Sequence, residues 1–122
     1  NLSNYDYIVP VPLHRIKKKE RGFNQSELIT KFLCIYSGCR YHTNLVKRIR
    51  YTETQTLKSH NERMKNLNLA FSLNEKADFK NKKILLIDDV ITTGSTINMI
   101  AQLLKNKGCK KVDALCFAFA NL

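Results

Sequence analysis

The 122-residue sequence has no apolar run approaching the roughly 18 residues that a membrane-crossing helix needs, and it opens with no charged, then apolar, then small-residue leader. These two absences predict a cytoplasmic protein without membrane insertion. The four cysteines, Cys34, Cys39, Cys109 and Cys116, form no C-x-x-C pair, so their spacing signals neither a zinc ribbon nor a disulfide framework, and free reduced thiols are expected. Neither a G-x-x-x-x-G-K-[ST] loop nor a G-x-G-x-x-G loop occurs, which removes the two commonest phosphate cradles. There is no internal repeat and no low-complexity linker. The chain also lacks an initiator Met and enters a hydrophobic run by Tyr7, the pattern expected of a domain cut from something longer.

Acidic residues are scarce: 10 Asp and Glu against 21 Lys and Arg leave a net charge of +11 and a pI near 9.7. One dense basic cluster runs from Arg15 to Arg21, and the other lysines are spread along the chain. A polyanionic partner and a merely solvated lysine face both fit that excess. With 43% hydrophobic and 25% charged residues, the composition is that of an ordinary globular domain and excludes disordered and fibrous classes. A chain of this length supports one domain, burying roughly two-thirds of the surface its unfolded form exposes.

The order of elements follows from apolar spacing. Residues 7–11 (Y-I-V-P-V) read as a short buried strand broken by Pro10 and Pro12. Leu28, Ile29, Phe32, Leu33 and Tyr36 recur at helical spacing after Asn24, and Gly38 supplies a stop. A weak strand is expected over residues 40–46 and an extended loop over 48–58. Ser59 and Glu62 match a capping box, predicting a short helix to about Leu67. Residues 84–87 form a continuous apolar run, as in a parallel strand covered on both faces. Ile97, Ile100, Ala101 and Leu104 predict a helix ending at Gly108, and residues 112–120 alternate as a final strand. Strand, loop, helix, strand is a crossover unit of a parallel α/β sheet flanked by helices.

The chemistry concentrates in residues 84–96. Asp88 and Asp89 stand at the carboxyl end of a buried strand, where parallel α/β sheets bind ligands. Thr92, Thr93, Gly94, Ser95 and Thr96 then form a hydroxyl-rich turn into a helix whose positive dipole end and free amides suit a phosphate dianion. Gly94 lets the backbone approach that phosphate closely. Two carboxylates facing a phosphate would repel it, so their expected partners are the vicinal hydroxyls of a ribose, directly or through a metal-bound water. The competing readings are that the acids only cap the turn or bind a lone Mg2+. A response-regulator receiver domain also pairs acids after a strand, but it needs more chain than remains after Val112.

This thirteen-residue pattern, four apolar residues, D-D, two apolar residues and T-T-G-S-T, resembles the phosphoribosyl pyrophosphate (PRPP) motif of type I phosphoribosyltransferases. The resemblance implies that Asp88 and Asp89 contact ribose hydroxyls and that residues 92–96 hold the 5'-phosphate. It further implies a pyrophosphate loop at Pro12, Leu13 and His14 and a Mg2+ ion held mainly through the ligand. Residues 9–15 (V-P-V-P-L-H-R), 21–26 (R-G-F-N-Q-S) and 48–55 (R-I-R-Y-T-E-T-Q), with Arg63, Asn66, Ala70 and Phe71, resemble the ComF competence-protein family over residues 7–119. Members of that family usually carry an amino-terminal zinc-binding module with C-x-x-C pairs, which this sequence does not show. The family is implicated in natural transformation, which brings single-stranded DNA and the competence machinery into view as partners.

Arg48, Arg50 and Gln55 occupy the position of the mobile loop that closes over the site in phosphoribosyltransferases, where cations would meet departing pyrophosphate. The arginines would equally grip DNA phosphates. His14 reads as a loop hydrogen-bonder or a general base, and Phe23 and Tyr51 as base-stacking platforms or, for Phe23, core. Thr92 stands where several purine-salvage members place an aspartate, which argues against that chemistry. The expected function is therefore a competence protein whose phosphoribosyltransferase domain binds Mg-PRPP and single-stranded DNA. The alternatives are a salvage transferase that attaches a base or amine to the ribose, and a DNA-binding adaptor that has lost its ligand.

Overall fold

In the computed structural model, which describes residues 1–13, 22–49, 70–91 and 93–119, the first apolar run becomes strand β1 (Tyr7–Pro10). Proline carries no amide for a sheet ladder, so β1 stops early. Its last contact is the Val11 amide donating to the Ile87 carbonyl over 2.8 Å. Helix α1 (Gln25–Ser37) starts where the Asn24 side chain accepts the Ser26 amide at 3.0 Å, and it ends where Gly38 turns into the left-handed region at φ 73.

Strands β2 (Val46–Arg48) and β3 (Phe71–Leu73) pair antiparallel in a small second sheet. The weak strand expected over 40–46 overlaps β2 only at Val46. Of its polar part only Tyr41 pairs, in an isolated bridge to Ile8. Three-residue strands are too short to show alternation, which is why β3 left no periodic signal. The capping-box helix expected at 59–67 and most of the loop expected at 48–58 lie outside the described residues.

Strand β4 (Lys83–Ile91), helix α2 (Ser95–Asn106) and strand β5 (Lys111–Phe119) complete the chain. The main sheet is parallel throughout, in the order β1-β4-β5. Period-two alternation divides β4 between two cores. Ile84 and Leu86 pack with Val9, Phe79 and the fully buried Ile100 and Leu104 of α2. Leu85 and Ile87 pack with Ile8 and with Cys34 of α1. Each fully buried Ile or Leu contributes roughly 1.5–3 kcal/mol. The two helices therefore cover opposite faces of the central strand. Coverage thins at β5, where Leu115, Phe117 and Phe119 are exposed. Among the described residues no helix is long and apolar enough to cross a membrane.

Candidate functional site

Pairing between β1 and β4 ends at Pro10 and Ile87, whereas β4 continues beside β5 as far as the pair Ile91 and Phe119. Asp88 and Asp89 thus have a strand on one side and an opening on the other. Because α1 and α2 leave the sheet on opposite faces, this opening is the crevice in which open α/β sheets bind ligands.

Two recesses meet there. The smaller, about 230 Å3, is walled by Thr93, Gly94, Ser95, Thr96 and Asp88. Gly94 precedes α2 at φ 79 and, as the cap residue, offers no side chain to the helix; the Ser95 amide donates to the Thr93 hydroxyl over a long 3.4 Å. The Thr93 and Ser95 hydroxyls lie 3.0 Å apart. A Cβ at Gly94 would meet only Asn98 Nδ2, at 3.9 Å, so it is the positive φ and not crowding that selects glycine.

The larger recess, about 430 Å3, lies between the loop after β1 (Val11, Pro12, Leu13), the first turn of α1 and Arg48, and it shares Asp88 and Thr96 with the smaller one. Arg48 closes β2 with its guanidinium 5.3 Å from the centroid of the Phe71 ring on β3, a cation–π contact that restricts a long side chain. Asn24 is 4% exposed and serves two purposes. Its carbonyl oxygen caps α1, and its Nδ2 donates to the Val11 carbonyl at 3.1 Å, tying the loop after β1 to the helix.

The Asp88 carboxyl sits in surroundings that disfavour its charge. Burial, reinforced by the neighbouring Asp89 carboxyl, pushes the Asp88 pKa up to about 6, against the opposing hydrogen bonds from the Asp89 amide and the Ser26 hydroxyl. Asp88 Oδ1 accepts the Asp89 amide at 2.9 Å and faces the Ser26 hydroxyl at 3.5 Å. Near neutral pH the pair concentrates negative charge in half-buried surroundings, an arrangement that hydroxyl donors or a cation would relieve. Among the described residues no group of three His, Cys, Asp or Glu side chains gathers to hold a metal, so the protein's own contribution at this point is two adjacent carboxylates.

Of the residues singled out in the sequence, Asp88, Asp89, Thr93, Gly94, Ser95, Thr96, Pro12, Leu13 and Arg48 converge on the two recesses. Arg48 stands on a strand that leads into the expected mobile loop. Thr92, His14, Arg50, Gln55 and Tyr51 lie outside the described residues, as does the basic cluster from Arg15 to its end at Arg21. Phe23 is 43% exposed and therefore not core. Asn24, Gln25 and Ser26, which the sequence offered only as part of the family resemblance and without a site role, line the larger recess as well. The available signal was a capping Asn opening the helix that follows the first strand.

Comparison with known proteins bears on the family and the fold. The family model described as "Phosphoribosyl transferase domain" matches residues 23–121. Competence protein F of Haemophilus influenzae is 41% identical over 107 residues, covering 87% of this chain and 47% of that protein. DNA utilization protein YhgH of Escherichia coli is 40% identical over 111 residues, covering 91% of this chain and 48% of that protein. The chain thus spans about half the length of these curated relatives. The crystal structure of a purine phosphoribosyltransferase from Pyrococcus horikoshii superposes with a TM-score of 0.61 at 18% identity, covering 97% of this chain and 64% of that one. At that identity the likeness concerns the fold.

Proposed function

Because the chain belongs to the phosphoribosyl transferase domain family, we propose that its two joined recesses bind Mg-PRPP, within a cytoplasmic protein that handles single-stranded DNA. The observation that carries this reading is the shared wall: Asp88 and Thr96 border both recesses, so one ligand can reach from one into the other. The 5'-phosphate takes the smaller recess, against the α2 amino end and the hydroxyls of Thr93, Ser95 and Thr96. The ribose diol donates to Asp88 and Asp89. The pyrophosphate lies toward Pro12 and Leu13, with Arg48 as the cation in the recess wall among the described residues.

Two adjacent carboxylates fit a divalent ion shared with phosphate oxygens, since Mg2+ usually takes one or two protein carboxylates and completes its shell from substrate and water. Mg2+ bound there would neutralise charge on the pyrophosphate. The DNA part of the proposal rests on the relatives named for competence and for DNA utilization, and on the +11 charge. Pentosyl transfer to a base or amine is the second reading, for which the larger recess, about 430 Å3, offers the cavity.

The test is calorimetric titration of PRPP with and without Mg2+, at a salt concentration that damps nonspecific attraction. Saturable, metal-dependent binding supports the proposal; none under either condition sinks it. Pyrophosphate release across a panel of bases and amines tests the second reading, and background release throughout would remove it.

A further inference from the structure

At the opposite end of the sheet from the recesses, the turn before β4 and the turn before β5 are joined. The Asn81 amide donates to the Gly108 carbonyl at 2.8 Å, and the Lys110 amide donates to the Lys82 carbonyl at 2.9 Å. Gly108 sits so close that a Cβ placed on it would be 3.6 Å from the Lys80 backbone. In the β4–β5 register Lys83 faces Lys111 directly. These contacts gather Lys80, Lys82, Lys83, Lys107, Lys110 and Lys111 on one rim, with Lys105 in the last turn of α2 beside them.

Three acids, Asp6, Asp78 and Asp113, stand among these seven lysines and offset part of the charge, leaving the rim with an excess of positive charge. Among the described residues Lys111 is the one lysine of the rim in an ion pair, with Asp113 at 3.4 Å, and that carboxylate also accepts the Tyr5 hydroxyl. Asp78 and Asp6 are engaged by the backbone amides of Lys80 and Lys83. The negative carboxyl end of the α2 dipole accounts for Lys105 and Lys107, but not for the lysines on the β4 turn. Like charges held together at a fixed turn repel one another weakly in water and raise the local positive potential, which a polyanion lying across the rim would meet.

We infer that this lysine rim is the surface along which the phosphate backbone of single-stranded DNA runs, separate from the PRPP recesses. The inference rests on the DNA-handling reading given above and adds the place. At about 3.3 Å per residue, Lys83 lies roughly 17 Å along β4 from Asp88, so DNA on the rim leaves the carboxyl-end crevice open. Contact is to phosphates, with no base readout, and binding is therefore independent of sequence and steep in salt.

The experiment measures fluorescence anisotropy of a labelled single-stranded oligonucleotide against the chain over a salt series. Lys107→Glu/Lys110→Glu is compared with Lys31→Glu/Lys47→Glu, which changes net charge equally on exposed positions elsewhere. Thermal unfolding by circular dichroism confirms that both variants fold.

The rim variant should lose roughly tenfold or more in affinity at about 0.1 M salt, and its log–log salt slope should become shallower by about 1.4, while the control loses less than about threefold. Equal losses in both variants would overturn the inference in favour of net charge alone. Undiminished binding by the rim variant would overturn it while leaving DNA handling intact. Absence of wild-type binding would remove both. Stronger binding to phosphatidylglycerol vesicles than to DNA at matched phosphate would assign the rim to a membrane surface and overturn it as well.

Discussion

The side-chain amide of Asn24 donates to the Val11 carbonyl over 3.1 Å, fastening the start of α1 to the chain just where it leaves β1. One buried residue thereby sets both the helix amino end and the loop that walls the larger recess. Asn24→Ala removes a cap and leaves a carbonyl without its partner, so a loss of about 1–3 kcal/mol is expected in urea unfolding. Asn24→Asp keeps the cap yet loses the donor. It should recover only part of that stability, and full recovery would show that the tie to Val11 is idle.

The Asp88 carboxyl is held near 6 in the fold and near its ordinary carboxylate value when unfolded, so between those values the folded state binds more protons. Stability from this group is full below about pH 4 and is lost as pH rises through about 6. Asp88→Asn removes the ionisation cost, so the variant should match the wild type near pH 4 and exceed it at pH 7.5. Discounted for its partial exposure, the gain should be on the order of 1–2 kcal/mol. Melting curves at the two pH values check this; a variant equally destabilised at both would contradict it.

The same ionisation should govern ligand binding. If the diol or the cation meets an ionised pair, Mg-PRPP affinity falls as pH is lowered through about 6, and the Asp88→Asn/Asp89→Asn variant binds at least tenfold more weakly while unfolding cooperatively. Calorimetry at pH 5.5 and 7.5 decides, and pH-independent affinity would move the carboxylates out of the site.

Gly94 enters α2 with φ 79 and has space around it. Gly94→Ala should cost about 1–2 kcal/mol through the backbone alone, and Gly94→Asn less, since Asn tolerates the left-handed region. A loss in Gly94→Ala no greater than at an ordinary exposed residue would mean that the turn relaxes.

Arg48 is oriented by the Phe71 ring. Arg48→Ala should weaken PRPP binding several-fold to tenfold with little change in melting temperature, and Arg48→Lys should restore only part, because an ammonium lacks the planar fork. Complete rescue by Lys would reduce the role to charge.

What the sequence determined by itself was local. The apolar run followed by Asp88 and Asp89, the hydroxyl turn with Gly94, and the helix after it depend on side-chain period and on backbone φ, both set within a few residues. Those signals located β1, α1, β4, α2 and β5 and half of the site. Tertiary structure decided the rest. β4 ran past its apolar residues through both acids because β5 went on pairing with it. Asn24, Ser26 and Arg48 came from distant segments to line one recess with Asp88, through packing of α1 and the small β2–β3 sheet. The lysine rim joined Lys82 to Lys110 and Lys83 to Lys111, because the crossover through α2 returns the chain to the amino end of the sheet. No local period encodes such convergence; it follows from which apolar faces bury each other.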